Sequence, residues 1–195
     1  MSITTCRRRG SPELMAKRSF FTIGHSNRPL DEFIGLLREA GVELLVDIRK
    51  MPMSRANPQF NGDALAQALQ PFGIGYEHNA ALGGLRGRAA GLPGDINGFW
   101  SNRSFRNYAD YALSDAFRAG LARLIAAGEG RCVAIMCAEA VWWRCHRRIV
   151  ADYLLAGGRQ VFHLFAAGRI EAAKLTAAAV IQPDGTLHYP AAQAP

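Results

Sequence analysis

The sequence lacks an apolar run long enough to cross a bilayer, and its first residues lack the apolar stretch of a secretory signal. We therefore predict a cytoplasmic protein with no membrane partner. Cysteine is also scarce, with four residues in a chain of 195, which argues against a disulfide-stabilised scaffold and for reduced thiols. These absences leave a globular enzyme or a globular binding protein as the classes to consider.

Acidic residues are fewer than basic ones, 16 against 23, so the net charge is +7. More than half of this excess lies in residues 1–19, which we interpret as a basic, disordered N-terminal arm. Residues 20–190 are predicted to form a single domain that is only mildly basic. We therefore expect weak, non-specific binding of nucleic acid at most. The sequence does not predict the oligomeric state.

Apolar runs typical of buried strands alternate with segments whose apolar residues recur at helical spacing. The predicted strands are Phe20–Ile23, Leu44–Val46, Ile74–Glu77, Cys132–Cys137 and Val161–Phe165. The predicted helices are Pro29–Ala40, Asp63–Leu69, Tyr108–Ala127 and His146–Ala156, with a long loop over Leu82–Arg106. A hairpin of Ala178–Ile181 and Thr186–Tyr189 follows. The alternation predicts a single three-layer α/β domain, with a mostly parallel sheet, helices on both faces and a C-terminal β-hairpin.

Polar residues follow three of the predicted strands, at the edge where ligands bind in open α/β sheets. His25 and Ser26 follow the first strand, and Asp47 and Arg49 end the second. Cys137 ends the fourth strand, and Glu139 comes two residues later. Because carboxyl ends of parallel strands share one edge, we expect these side chains to line one cleft.

Cys137 is the candidate nucleophile or redox thiol, since basic groups nearby would favour its thiolate. His25 is the candidate base, Asp47 would orient it, and Glu139 would take part in proton transfer. A blander interpretation makes Cys137 the end of a buried strand. Likewise, Asp47 and Arg49 could form a structural ion pair.

The bridge after the fourth strand, which contains Arg144, Cys145 and His146, supplies further candidate substrate-binding residues. Basic groups and a predicted helix start favour an anion such as phosphate. We predict that a phosphate or carboxylate contacts Ser26, Arg49, Arg144, Cys145, His146 and Arg147. The alternative for the bridge is ordinary helix capping with a solvated basic turn.

A zinc site is a further interpretation of the same residues. Cys137, Cys145 and His146, with His25 as a fourth ligand, are chemically acceptable. Their spacing is not that of a zinc knuckle, and no Cys-x-x-Cys pair occurs. We therefore predict no metal and no cofactor.

Several motifs together resemble the domain of unknown function 488 family. The matching segments are Thr22-Ile23-Gly24-His25-Ser26, Leu45-Val46-Asp47-Ile48-Arg49, Asn57-Pro58-Gln59-Phe60, Leu82-Gly83-Gly84, Phe105-Arg106-Asn107-Tyr108-Ala109, Met136-Cys137-Ala138-Glu139 and Cys145-His146-Arg147. The resemblance implies a small, single-domain α/β protein of prokaryotic type and brings no established activity. Family members often have His-x-Leu-Thr after the last strand, where this chain has Ala173-Lys174-Leu175-Thr176. That departure further weakens the metal interpretation.

Two functional hypotheses remain. In the first, the protein is a Cys/His-dependent enzyme that acts on a nucleotide-like or other phosphate-bearing substrate. In the second, the same cationic pocket binds a nucleotide or nucleic acid without turnover. The two hypotheses differ in the reactivity they require of Cys137. A catalytic thiol must be reactive near neutral pH, whereas a thiol that only lines a pocket need not be.

Overall fold

The computed structural model describes residues 19–89, 91–93 and 95–191. Nearly all of the predicted N-terminal arm lies outside these residues. The strands are β1 (Phe20–Gly24), β2 (Leu44–Asp47), β3 (Gly75–His78), β4 (Val133–Cys137), β5 (Val161–Ala166), β6 (Arg169–Ala172), β7 (Val180–Ile181) and β8 (Leu187–His188). The α-helices are α1 (Leu30–Glu39), α2 (Gly62–Leu69), α3 (Arg103–Tyr111), α4 (Asp115–Ala127) and α5 (Arg147–Ala156).

Six strands form one sheet in the order β3-β2-β4-β1-β5-β6. The first five are parallel to one another, and β6 pairs antiparallel with β5. Strands β7 and β8 form a separate antiparallel hairpin. The predicted α/β class, the mostly parallel sheet and the C-terminal hairpin are confirmed. In the described part of the chain, no helix is long and apolar enough to span a membrane.

The sheet has a hydrophobic core on each face, because successive side chains of a strand point to opposite sides. On one face, Val133, Ile135 and Cys137 of β4 pack in a core with residues of α3, α4 and α5. On the other face, Ala134 and Met136 pack with residues of α1 and α2. We call these the α5 face and the α1 face. This division decides which functional side chains meet.

Three parts of the predicted element order were wrong. The segment predicted as one helix, Tyr108–Ala127, is two, since α3 ends at Tyr111 and the Ser114 hydroxyl accepts the Phe117 amide to begin α4. The predicted loop is shorter, because Asn102 caps α3 by accepting from the amides of Ser104 and Phe105. Finally, β6 was not predicted; it turns back on β5 through Gly168, whose φ of 68° suits glycine.

The C-terminal hairpin is held to α5 by buried polar contacts. Asp152 accepts hydrogen bonds from the Thr176 amide, at 2.9 Å, and from the Tyr189 hydroxyl, at 3.0 Å. The Leu187 amide donates to the Tyr153 hydroxyl at 3.2 Å. Burial raises the pKa of Asp152, while these donors oppose the shift. The segment after the sheet therefore packs on α5.

Candidate functional site

The carboxyl ends of β1, β2 and β4 are neighbours at one edge of the sheet. Gly24 is the register partner of Cys137, and Asp47 is the partner of Met136. The backbone amide of His25 donates to the Cys137 carbonyl at 3.0 Å. The strand ends therefore meet at one edge, as the sequence predicts. The side chains, however, divide between the two faces.

His25 lies on the α1 face, where its ring stacks on Phe60 with centroids 4.4 Å apart. Cys137 belongs to the core of the α5 face. The cause is the strand register. Gly24 pairs with Cys137, and His25 is one residue later, so its side chain points to the opposite face. Both nitrogens of His25 also have other partners. Nδ1 lies 2.7 Å from the Ser26 carbonyl, and Nε2 lies 3.2 Å from Nη1 of Arg49.

On the α1 face, Arg49 lies between Asp47 and His25. Its guanidinium donates to both carboxylate oxygens of Asp47, to the Phe60 carbonyl and to Nε2 of His25. The Tyr76 hydroxyl also donates to Asp47, at 2.8 Å. Asp47 thus holds Arg49 rather than His25. Because a guanidinium does not release its proton in proteins, it cannot relay one between them.

The protonation state of His25 follows from these partners. Arg49 donates to Nε2, so the ring proton is on Nδ1 and donates to the Ser26 carbonyl. Burial lowers the pKa of His25. The hydrogen bond to the Ser26 carbonyl opposes this shift, and the positive charge of Arg49 adds to it, so the neutral ring is favoured. Burial opposes protonation of Arg49 as well, but its hydrogen bond and charge interaction with Asp47 raise its pKa.

Ser26 occupies the tight turn after β1. Its φ of 49° is unusual for a residue with a side chain, and its hydroxyl donates to Asn27 at 3.3 Å. Its amide is bonded to the Ala138 carbonyl. With its amide bonded inside the protein, Ser26 joins the β1 turn to the loop after β4.

On the α5 face, the sulfur of Cys137 is surrounded by hydrogen-bond donors. The Glu139 amide and Nη1 of Arg147 each lie 3.4 Å from it. The Cys145 thiol is a third neighbour. The hydrogen bond from the Cys145 thiol lowers the pKa of Cys137 to about 7. Burial opposes this shift, and the positive charge of Arg147 adds to it. Both cysteines are free and buried. This set, Cys137, Cys145, His146 and Arg147, is called the thiol cluster below.

Arg147 is among the largest fully buried side chains of the described protein, with 2% of its surface exposed. It donates through Nη1 to the Glu139 carbonyl, at 2.6 Å, and through Nη2 to the Ala140 carbonyl, at 2.9 Å. Its Nε has no partner among the described residues. These bonds fasten the loop after β4 to the start of α5.

His146 and Cys145 complete the thiol cluster. Nε2 of His146 lies 3.1 Å from the Ile48 carbonyl, so this nitrogen carries the ring proton. Its Nδ1 therefore offers a lone pair to the Cys145 sulfur, 3.6 Å away. Burial lowers the pKa of His146 to about 4 and raises that of Cys145 well above its usual value. The single Cys145 proton thus has two acceptors beside it, Cys137 and His146.

Glu139 and Arg144 lie at the solvent side of the thiol cluster. Both are exposed, and so are the neighbouring Ala138 and Ala140. Glu139 contributes its backbone amide and carbonyl to the cluster, while its carboxylate faces solvent. Arg144 closes the short 3-10 turn Trp142–Arg144. The exposed loop after β4 therefore lies between solvent and the buried sulfur of Cys137.

Two glycines that the sequence analysis did not select make the cluster possible. A Cβ on Gly24 would lie 1.8 Å from the Glu139 carbonyl oxygen and 2.8 Å from Nη1 of Arg147. A Cβ on Gly84 would lie 2.8 Å from Nδ1 of His146. The position of Gly24, directly between a strand and His25, was the available sign of a close backbone approach.

The thiol cluster also contains a possible set of metal ligands. The ligand atoms of Cys137, Cys145 and His146 all lie within 4.8 Å of one another. His25, the fourth ligand considered from the sequence, is on the α1 face and bonded to Arg49. The geometry thus offers three ligands where the sequence suggested four.

Comparison with known proteins gives one match. The family model described as "Domain of unknown function DUF488" matches residues 29–154. The matched segment includes Asp47, Arg49 and the whole thiol cluster. No curated protein and no solved structure matches the chain.

Proposed function

The chain belongs to the family described as Domain of unknown function DUF488, and we propose that it is a cysteine-dependent enzyme acting on a phosphate-bearing, nucleotide-like substrate. Cys137 is the proposed nucleophile. Its sulfur forms a bond to the electrophilic atom of the substrate, and the leaving group departs with its electron pair and takes a proton from water.

The observation that carries this proposal is the pairing of Arg147 with Cys137. A guanidinium stays charged at all physiological pH values, and burying it without a counter-charge is costly. Among the described residues, no carboxylate forms an ion pair with Arg147. The group beside it that can become an anion is the Cys137 thiol, at 3.4 Å. The arrangement therefore favours a thiolate, which is the nucleophilic form.

Substrate recognition is assigned to Arg144 rather than to the buried arginines. Arg49 uses its donors on Asp47, His25 and Phe60, and Arg147 uses its terminal nitrogens inside the cluster. Arg144 is exposed on the bridge, close in sequence to the exposed loop that follows Cys137. An exposed guanidinium suits the bidentate recognition of phosphate.

The role of the Cys145 thiol is tested by a matched pair of substitutions. Cys145→Ser keeps a hydroxyl that can donate to Cys137, whereas Cys145→Ala removes the donor. In chelator-treated protein at neutral pH, we expect the Ser variant to alkylate at Cys137 about as fast as the wild type. The Ala variant should react several-fold more slowly, because less of the Cys137 sulfur is thiolate. Iodoacetamide labelling followed by peptide mass spectrometry measures both rates.

Equal rates in the Ser and Ala variants would remove Cys145 from the mechanism. Slow labelling of Cys137 in the wild type would instead favour the binding-module hypothesis, in which the sulfur only lines a pocket. A thermal unfolding curve for each variant controls for loss of fold.

Substrate class is tested by ligand-dependent thermal stability. A ligand that binds the folded state raises the midpoint of unfolding by mass action. We expect nucleoside triphosphates to raise it and the corresponding nucleosides to leave it unchanged. Arg144→Gln should reduce the shift. The matched control is Arg159→Gln, which removes an equal charge just before β5, at the opposite edge of the sheet. Equal shifts in both variants would refute the assignment of Arg144.

A further inference from the structure

The thiol cluster brings two sulfurs and one imidazole nitrogen together inside the protein. We propose that Cys137, Cys145 and His146 form a zinc site with three protein ligands and one open position. This inference goes beyond the proposed nucleophile and does not depend on it, since metal binding and thiol reactivity are measured separately.

The spacing of the ligand atoms agrees with zinc coordination. With Zn–S near 2.3 Å and Zn–N near 2.0 Å, a tetrahedral angle places sulfur and nitrogen about 3.5 Å apart. The Cys145 sulfur and Nδ1 of His146 are 3.6 Å apart. Two sulfurs on one zinc are about 3.8 Å apart by the same geometry, and all three ligand atoms here lie within 4.8 Å of one another. Small side-chain movements therefore suffice to close the site.

The imidazole of His146 is already oriented as a ligand. Its Nε2–H donates to the Ile48 carbonyl at 3.1 Å, and Nδ1 faces the sulfurs. A backbone carbonyl on the second nitrogen is the usual support for a metal-bound histidine, because it fixes the tautomer and the ring. Gly84 leaves room at Nδ1, where any Cβ would intrude.

Both sulfurs accept a backbone amide from the residue two positions later. The Glu139 amide lies 3.4 Å from Cys137, and the Arg147 amide lies 3.5 Å from Cys145. Amides directed at sulfur stabilise negative charge on it. Each sulfur therefore has a donor that favours a metal-bound thiolate, and among the described residues the guanidinium that donates to a sulfur is that of Arg147.

A zinc ion would bind all three electron-pair donors of the cluster, the two sulfurs and Nδ1 of His146. When Zn²⁺ binds, it replaces the proton of Cys145, which leaves to water, and it shares the lone pairs of both sulfurs and of Nδ1. Soft thiolate ligands with one imidazole favour zinc over magnesium or calcium. Because the Cys137 lone pair is then occupied, the zinc-loaded protein should resist alkylation. Metal occupancy and nucleophilic attack are thus alternative states of the same sulfur.

The experiment is a zinc titration of chelator-stripped protein against a chromophoric competitor. We expect one equivalent to bind, and the affinity should fall in Cys145→Ser and in His146→Gln by more than the ~10–100-fold that loss of a ligand's hydrogen-bond partner costs. His188→Gln, at a histidine in β8, is the matched control and should bind as the wild type does. Cobalt substitution should add sulfur-to-metal charge-transfer absorption that Cys145→Ser weakens.

Two results would overturn the zinc site: no binding by the wild type in the micromolar range, or unchanged affinity in both ligand variants. Cys145→Ser separates this inference from the proposed function, because it keeps a donor for Cys137 while removing a zinc ligand. If metal-free Cys137 is reactive and zinc does not bind, the zinc site alone fails. If zinc binds and metal-free Cys137 is inert, the nucleophile alone fails.

Discussion

Arg147→Met is expected to lower the free energy of unfolding by about 1–3 kcal/mol, the usual cost of leaving a buried hydrogen-bond acceptor without its donor. Methionine keeps the length and the apolar contacts of the side chain but donates nothing. The carbonyls of Glu139 and Ala140 would lose their donors, and Cys137 would lose its neighbouring positive charge. Chemical denaturation measures the first effect, and the alkylation rate of Cys137 measures the second.

Arg144→Ala is the matched control, because this arginine is exposed on the same bridge. Its effect on stability should stay within about 0.5 kcal/mol. If Arg147→Met does not fold, Arg147→Lys provides a milder test, since it keeps the charge and loses the planar set of donors. A stable Arg147→Met variant with unchanged Cys137 reactivity would show that the guanidinium does not govern the thiol.

Gly24→Ala is the second large effect that we expect. The new Cβ would overlap the Glu139 carbonyl oxygen, a backbone atom that cannot rotate away. The loop after β4 would have to shift, and Arg147 with it. Overpacking of this kind typically costs about 1–3 kcal/mol, and a clash with backbone belongs at the upper end. Because the Glu139 amide moves with its loop, the alkylation of Cys137 should slow as well.

Gly35→Ala in α1 is the control for this substitution. A Cβ at Gly35 meets nothing within 4 Å, and alanine is favoured over glycine in a helix by about 1 kcal/mol. The two substitutions should therefore change the free energy of unfolding in opposite directions. Equal effects would mean that the loop after β4 does not lie across Gly24.

The fold could be largely predicted because parallel strands buried on both faces are continuous apolar runs in the sequence. Phe20–Gly24 and Val133–Cys137 are both buried throughout. The break between α3 and α4 was harder, because apolar spacing continues from Tyr108 to Phe117 and only Ser114 marks the cap. Strand β6 escaped prediction because its residues are mostly exposed and it has no apolar run.

The site was harder to predict than the fold, for a reason of register. The sequence indicates that His25 follows one strand and that Cys137 ends another, but the face each side chain takes depends on pairing by single residues. Gly24, not His25, pairs with Cys137, so imidazole and thiol face opposite ways. The sequence also does not show that the bridge folds back. This return brings Arg147, ten residues later, against the Cys137 sulfur.

The measurement that tests the central claim most directly is the alkylation rate of each thiol in chelator-treated, folded protein at neutral pH. Labelling with iodoacetamide is followed over time, and peptide mass spectrometry separates Cys137 from Cys145. We expect Cys137 to react clearly faster, since its neighbours lower its pKa to about 7 while burial raises the pKa of Cys145. Equally slow labelling of both residues would contradict it and leave Cys137 as the buried end of a strand.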